Sequence, residues 1–195
     1  MKVVIVLIVT ACLASVAGPL CAQSIGIYAD PGGTSTNISL TPGVPGTFYV
    51  LAKAEGAAVE GISTLEFQVV GIPAGWWYEA VPNPAIVASV HDPFAPPGGA
   101  VSFGACMTGV VPLYTVTVIA TDAVASATIS VVEYDGASPA CPVLVVCSGP
   151  GHESICATGG QATVEVVTSN YTCEGAIEIH WCSTFTTSGN TMSMR

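Results

Sequence analysis

Residues 62–70 read Ile-Ser-Thr-Leu-Glu-Phe-Gln-Val-Val. Leu65, Phe67 and Val69 fall on one side of an extended chain, and Glu66 and Gln68 on the other. Alternation with period two buries one face of a pleated strand and leaves the other to water, whereas on a helix the same residues would scatter around the axis. Similar short runs recur at Ile25–Ala29, Asn37–Leu40, Thr47–Ala54, Trp76–Ala80, Ile86–Val90 and Ala100–Ala105, and again at Leu113–Ala120, Ser126–Tyr134, Leu144–Val146 and Ala162–Thr168. Tyr114, Val116 and Val118 oppose Thr115 and Thr117; Ala127, Ile129 and Val131 oppose Thr128 and Ser130. Turn signals such as Asp30-Pro31-Gly32-Gly33 and Pro42-Gly43-Val44-Pro45-Gly46 separate the runs. No segment after residue 22 carries a capped 3.6-residue period. The expected fold is all-β, an antiparallel two-sheet β-sandwich of jelly-roll type.

Composition supports a folded chain and excludes some partners. Hydrophobic residues make up 51% of the sequence, too many for a disordered chain despite only 8% charged residues. After residue 22 the basic residues are Lys53 and Arg195, against thirteen Asp and Glu. Such a surface repels phosphate backbones and anionic membranes, so nucleic acid is excluded as a partner and membrane binding is disfavoured.

The first 22 residues read as a secretory signal peptide: Lys2, the apolar run from Val3 to Val9, small residues to Ala17, a Gly18-Pro19 breaker and Ala22 at the cleavage point. An uncleaved anchor would need about 20 mostly apolar residues, and the Gly18-Pro19 break and the missing cationic flank count against it. A third reading takes Val9-Thr10-Ala11-Cys12 as a lipobox that leaves Cys12 lipidated. The expected organisation is a signal peptide at 1–22 and a β-sandwich domain at 23–169. Residues 170–195 are the start of a second, truncated β module or a tail, since Tyr171–Ile179 restarts a strand pattern near the chain's end.

Six cysteines follow the signal: Cys106, Cys141, Cys147, Cys156, Cys173 and Cys182. An even count in an exported chain reads as disulfides, with fifteen connectivities open. Ranking by proximity favours Cys141–Cys147 and Cys173–Cys182, leaving Cys106–Cys156. Cys141, Cys147, His152 and Cys156 also form a Cys/His array of a kind that zinc accepts, although export favours oxidation. The expected site list therefore holds no metal.

No catalytic residues are assigned. His91, His152 and His180 are the candidate bases, but there is no Gly-x-Ser-x-Gly elbow, and His91-Asp92 sits in a Pro-rich loop. Glu66, Glu133 and Glu165 take outward strand positions, as solvated acids do, rather than forming a glycosidase pair. No cofactor is expected. Calcium is the one candidate ion, with Asp30, Asp92, Asp122 and Asp135 in turns but no ligand repeat to organise them. Trp76-Trp77-Tyr78 is the candidate carbohydrate-binding cluster: Trp76 and Tyr78 share one side of a strand and Trp77 takes the other, so one side can be core and the other a stacking platform.

Gly46-Thr47-Phe48-Tyr49-Val50 followed by Gly61-Ile62-Ser63-Thr64-Leu65-Glu66-Phe67-Gln68-Val69 resembles the early strands of cohesin-like domains. The later Leu113–Ala120 and Ser126–Val132 pair is similar to that fold's closing strands. The stretch also resembles secreted bacterial proteins of uncharacterised activity that carry a Cys-Pro-x-x-x-x-Cys loop (Cys141 to Cys147) before a Cys-x-Thr-Gly-Gly turn (Cys156 to Gly160). Residues 170–195 resemble the start of a pre-peptidase C-terminal-type β domain. The resemblance implies a cohesin-like sandwich. Cohesins recognise dockerins and their relatives bind polysaccharide, but neither role transfers residue by residue. The expectation is a secreted or cell-surface, non-enzymatic module for binding, adhesion or surface assembly, whose partner is an extracellular protein or polysaccharide. The alternative is a carbohydrate-binding module of a larger exported enzyme.

Overall fold

The computed structural model describes residues 23–121, 126–136, 140–149 and 151–167. Residues 1–22, expected as a signal peptide and including Cys12, lie outside the described residues, as do Asp122 and the 170–195 segment with Cys173, His180 and Cys182. The strands are β1 (Ser24–Tyr28), β2 (Asn37–Leu40), β3 (Pro45–Ala54), β4 (Ile62–Val70), β5 (Trp77–Pro82), β6 (Ile86–Val90) and β7 (Gly99–Met107), then β8 (Gly109–Ile119), β9 (Ser126–Val132), β10 (Val143–Val146), β11 (Ser154–Cys156), β12 (Thr158–Gly159) and β13 (Gln161–Val166). The one helical element among the described residues is a 3-10 turn at Gly56–Ala58.

These strands form the expected two-sheet sandwich. One sheet runs β12-β1-β3-β8-β5; the other runs β11-β10-β4-β9-β13-β2, with β7 pairing the far edge of β4 and β6 pairing β7. Between them lies one core. Ile25, Ile27, Phe48, Val50, Val116 and Val118 come from the first sheet, and Leu65, Phe67, Val101, Ile129, Leu144 and Val164 from the second; all are fully buried. Each such side chain contributes about 1.5–3 kcal/mol by leaving water. The alternations at 62–70, 114–118 and 127–131 point inward as expected.

Two pairings depart from antiparallel. β1 runs parallel to β12, and β2 runs parallel to β13. Both follow from the chain changing sheets at each end. Between β1 and β2 it crosses at a turn built on Asp30, whose carboxylate accepts the N–H groups of Gly32, Thr34 and Ser35 and the Thr34 hydroxyl. Between β12 and β13 it crosses at Gly159-Gly160. A Cβ at Gly159 would collide with the Val131 carbonyl oxygen, and one at Gly160 would lie 3.0 Å from Gly26 Cα. The Thr-Gly-Gly segment is thus a strand passing from one sheet to the other rather than a turn. Its backbone is used on both sides, since Gly160 N–H donates to Ile25 O at 2.8 Å and Gly160 O accepts from Val131 N at 3.0 Å.

Pro112 lies inside β8, a strand paired on both edges, where a missing N–H is usually excluded. A bulge accommodates it. Val50 pairs with Tyr114 and Leu51 with Pro112, leaving Leu113 as the extra residue. Asn83 then closes the irregularity: its N–H donates to Leu113 O at 2.9 Å and its Nδ2 to Pro112 O at 2.8 Å.

Candidate functional site

The disulfides overturn two of the pairings ranked by proximity, Cys141–Cys147 and Cys106–Cys156, while Cys173–Cys182 lies outside the described residues. Cys106 bonds Cys147 and Cys141 bonds Cys156, with Cα separations of 6.1 and 5.7 Å. Cys141 and Cys147 flank β10, and six residues of extended chain span about 20 Å, far beyond disulfide reach. The β10–β11 hairpin instead places Val143 opposite Cys156, bringing Cys141 alongside. At the other end of β10, Cys147 N–H donates to Gly61 O, and Gly61 lies against Cys106 on β7. The pairing is therefore set by strands separated in sequence. It also dismantles the zinc array, because all three of its sulfurs are spent.

Two of the carboxylates weighed for calcium, those of Asp30 and Asp92, accept turn hydrogen bonds. Ser35 N–H foremost, then the Thr34 and Gly32 donors, holds the Asp30 carboxyl below its ordinary range, with desolvation opposing. Asp92 Oδ1 accepts the Phe94 N–H at 2.9 Å. Asp135 donates its backbone N–H to Pro97 O. His91 forms no dyad with its neighbours: the Ser89 hydroxyl donates to the His91 carbonyl, not to the ring. His152 is exposed in a turn. Glu165 is exposed on β13, and Glu133 lies just past the end of β9.

The aromatic cluster divides as alternation requires. Trp76 is core at 6% exposure, and Trp77 opens β5 at 49% exposure. Tyr78 turns back toward Phe94, whose ring meets Tyr114 edge-on at 5.2 Å. Burial raises both phenols; Asp92 adds to this for each, and the Ser89 hydroxyl partly offsets it at Tyr114. Of the three candidates, Trp77 is the exposed one, Tyr78 being half-buried and Trp76 buried. Ile119 is its cross-strand partner, and Glu79 and Thr117 form the next pair.

A second surface was missed by sequence reasoning, the outer face of β6, β7 and β4. Its floor is small: Ala88 pairs with Ser102 and Val90 with Ala100, and Thr64 Oγ1 lies 3.0 Å from Ser102 Oγ. Val87 packs beside Gly104. Among the described residues β6 pairs only with β7, which leaves Val87 69% and Val90 59% exposed. At one end Glu66, Val90, His91, Ala100 and Tyr134 line a pocket of about 220 Å³. The apolar run at 86–90 was legible as a strand. That its valines stay uncovered depends on where the edge falls.

No protein-family model matches the chain, and no curated protein matches it. Solved structures do match in fold. The non-cellulosomal cohesin from the hyperthermophilic archaeon Archaeoglobus fulgidus is 10% identical over 80% of this chain and 99% of that one, with a TM-score of 0.51. The sixth cohesin of Acetivibrio cellulolyticus scaffoldin B, solved with a Cel5 dockerin mutant, is 13% identical over 74% and 99%, at 0.50. Coh-OlpA of Clostridium thermocellum, solved in a cohesin–dockerin complex with Doc918, is 10% identical over the same shares, at 0.50. The two-sheet sandwich of this chain is therefore a cohesin-like fold.

Proposed function

We propose that the chain is a secreted, non-catalytic module that docks another extracellular protein on the outer face of β6, β7 and β4. One observation carries the reading: an edge strand with Val87 and Val90 exposed beside a floor of Ala88, Ala100, Ser102 and Gly104, flat enough for another protein's backbone to approach. Contiguous uncovered apolar surface is characteristic of interaction sites. The cohesins from Acetivibrio and Clostridium were solved with dockerins, which supports a protein partner for a fold of this type. Two disulfides favour an oxidising compartment and hence export.

The test is a photo-crosslinker. Benzoylphenylalanine in place of Val87 is expected to label a protein of the secreted or cell-surface fraction, and Ala100→Arg in the same chain to abolish that label. The same crosslinker in place of Val81, on the opposite sheet, should give none. Equal labelling from both positions, or none from Val87, would overturn the reading.

Trp77 supports a second reading, carbohydrate binding, because its half-exposed ring is an indole face of the kind that stacks on sugars. That reading is dropped if no glycan in a panel binds, or if Trp77→Ala leaves binding unchanged.

A further inference from the structure

The pocket at the end of the proposed docking face has a chemistry of its own. Glu66 stands in mid-strand on β4, flanked by Ala100 on β7 and Val143 on β10, neither of which offers its carboxylate a polar side chain. The chain has little with which to neutralise it. Lys53 is the only Lys or Arg among the described residues, and it is engaged on the other sheet. There its Nζ donates to Gly33 O at 2.9 Å and lies 4.9 Å from the centre of the Tyr28 ring.

Two rings wall the pocket. His91 and Tyr134 have centroids 6.4 Å apart and planes inclined at 46°, a splayed pair open to solvent. His91 holds φ at 60°, which an L residue rarely adopts. The Ser89 hydroxyl on its carbonyl and the Asp92 turn that follows hold the backbone there. Strain kept in place by several contacts at a cleft is a pointer to function. Val90 and Ala100 complete the lining with apolar surface, and about 220 Å³ is space for one long side chain.

A carboxylate with no Lys or Arg beside it among the described residues, two π faces and an apolar wall together describe a receptor for a flat organic cation. A guanidinium can pair with the carboxylate through two N–H groups, lay its face on an aromatic ring and run its methylene stem over Val90 and Ala100. The charge of the chain, −10 overall, favours approach of a basic partner surface. We propose that the Glu66–His91–Tyr134 pocket recognises an arginine side chain presented by the docked protein. This rests on the docking reading above and names the partner's central contact.

The experiment titrates the folded, secreted chain by NMR with N-acetyl-arginine-amide, and separately with its neutral isostere N-acetyl-citrulline-amide. Arginine amide should shift the signals of Glu66, Ala100 and Tyr134 with millimolar affinity. Citrulline amide should bind about tenfold more weakly, the loss expected when a charged pairing becomes neutral. Glu66→Gln should weaken arginine by a similar factor while the rest of the spectrum is unchanged. Tyr134→Leu should weaken it several-fold and serves if Glu66→Gln fails to fold. Equal binding of arginine and citrulline, or arginine binding indifferent to both substitutions, overturns the proposal. The two readings separate cleanly. Crosslinking from Val87 that survives Glu66→Gln, with no arginine response, sinks the pocket and keeps the docking face. A Glu66-dependent arginine response without any crosslink supports the pocket and counts against the docking face.

Discussion

On the five-stranded sheet, Thr47, Thr115 and Thr117 cover the outer face beside Glu79 and Tyr49, and the Asp30 turn brings Gly33 over Leu51, which is fully buried although it points away from the core. On the sheet behind it, Ala88, Ala100, Ser102 and Gly104 occupy the corresponding outer positions, with Val87 and Val90 exposed at the edge. Both faces expose apolar residues at an edge, since Trp77 and Val81 on β5 are 49% and 53% exposed, yet their floors differ in kind. β-branched hydroxyl residues satisfy a pleated surface and water at once. Small side chains beside bare valines do neither, and leave a shallow surface that a partner's side chains can fill. The difference lies in the floor, hydroxyl side chains on one sheet and small side chains on the other, and the proposed docking rests on the small floor.

The two sheets share one core and differ outside it. Phe48 and Phe67, one from each sheet and both fully buried, test that first. Phe48→Ala and Phe67→Ala should each cost about 3–5 kcal/mol in chemical denaturation, in a single transition. Two transitions, or a loss confined to one variant, would show the sheets unfolding independently.

The next effect sharpens the contrast, because both observed disulfides secure the sheet bearing the bare face. Replacing Cys106 and Cys147 together by serine should cost about 4 kcal/mol for a separation of 41 residues, and replacing Cys141 and Cys156 about 3 kcal/mol for a separation of 15. Denaturation midpoints of the two double variants check the order. Free thiols at any of these four positions in the folded protein would contradict the pairing itself.

The smallest effect belongs to the other sheet. The Asp30 carboxyl is held below its ordinary value of 3.8, mainly by the Ser35 N–H. A lowered carboxyl stabilises the fold fully above its unfolded value, and the contribution is lost as pH falls through the folded one. Asp30→Asn should therefore be less stable than the parent near neutrality and converge on it in acid. A constant difference between pH 6 and pH 2 would show that the turn does not depend on the charge.

Much of the framework was legible because period-two alternation is a local signal. β2, β4 and β6 fall on the residues where alternation, apolar runs and turn residues place them. β11 and β12 were invisible: three residues and two residues contain too little alternation to read, and their strand character comes from the neighbours they pair with. The aromatic cluster was legible as a division into faces, but not as to which face water would reach. The strands β6, β7 and β4 were legible, but not that their outer side forms an open face, since Ala, Ser and Gly are equally at home in a core, a turn or an interface.

The sequence by itself determined an all-β chain with two apolar inner faces, because side chains alternate across any extended backbone whatever it later packs against. It also determined that this chain has almost no cations with which to answer its own carboxylates. Only the tertiary structure decided which cysteines meet, where the chain changes sheets and which strand ends up at an edge. Those outcomes depend on residues far apart in sequence coming into register. Glu66 shows the division: alternation turns it outward, but only the arrival of Ala100, Val90, His91 and Tyr134 around it makes a pocket.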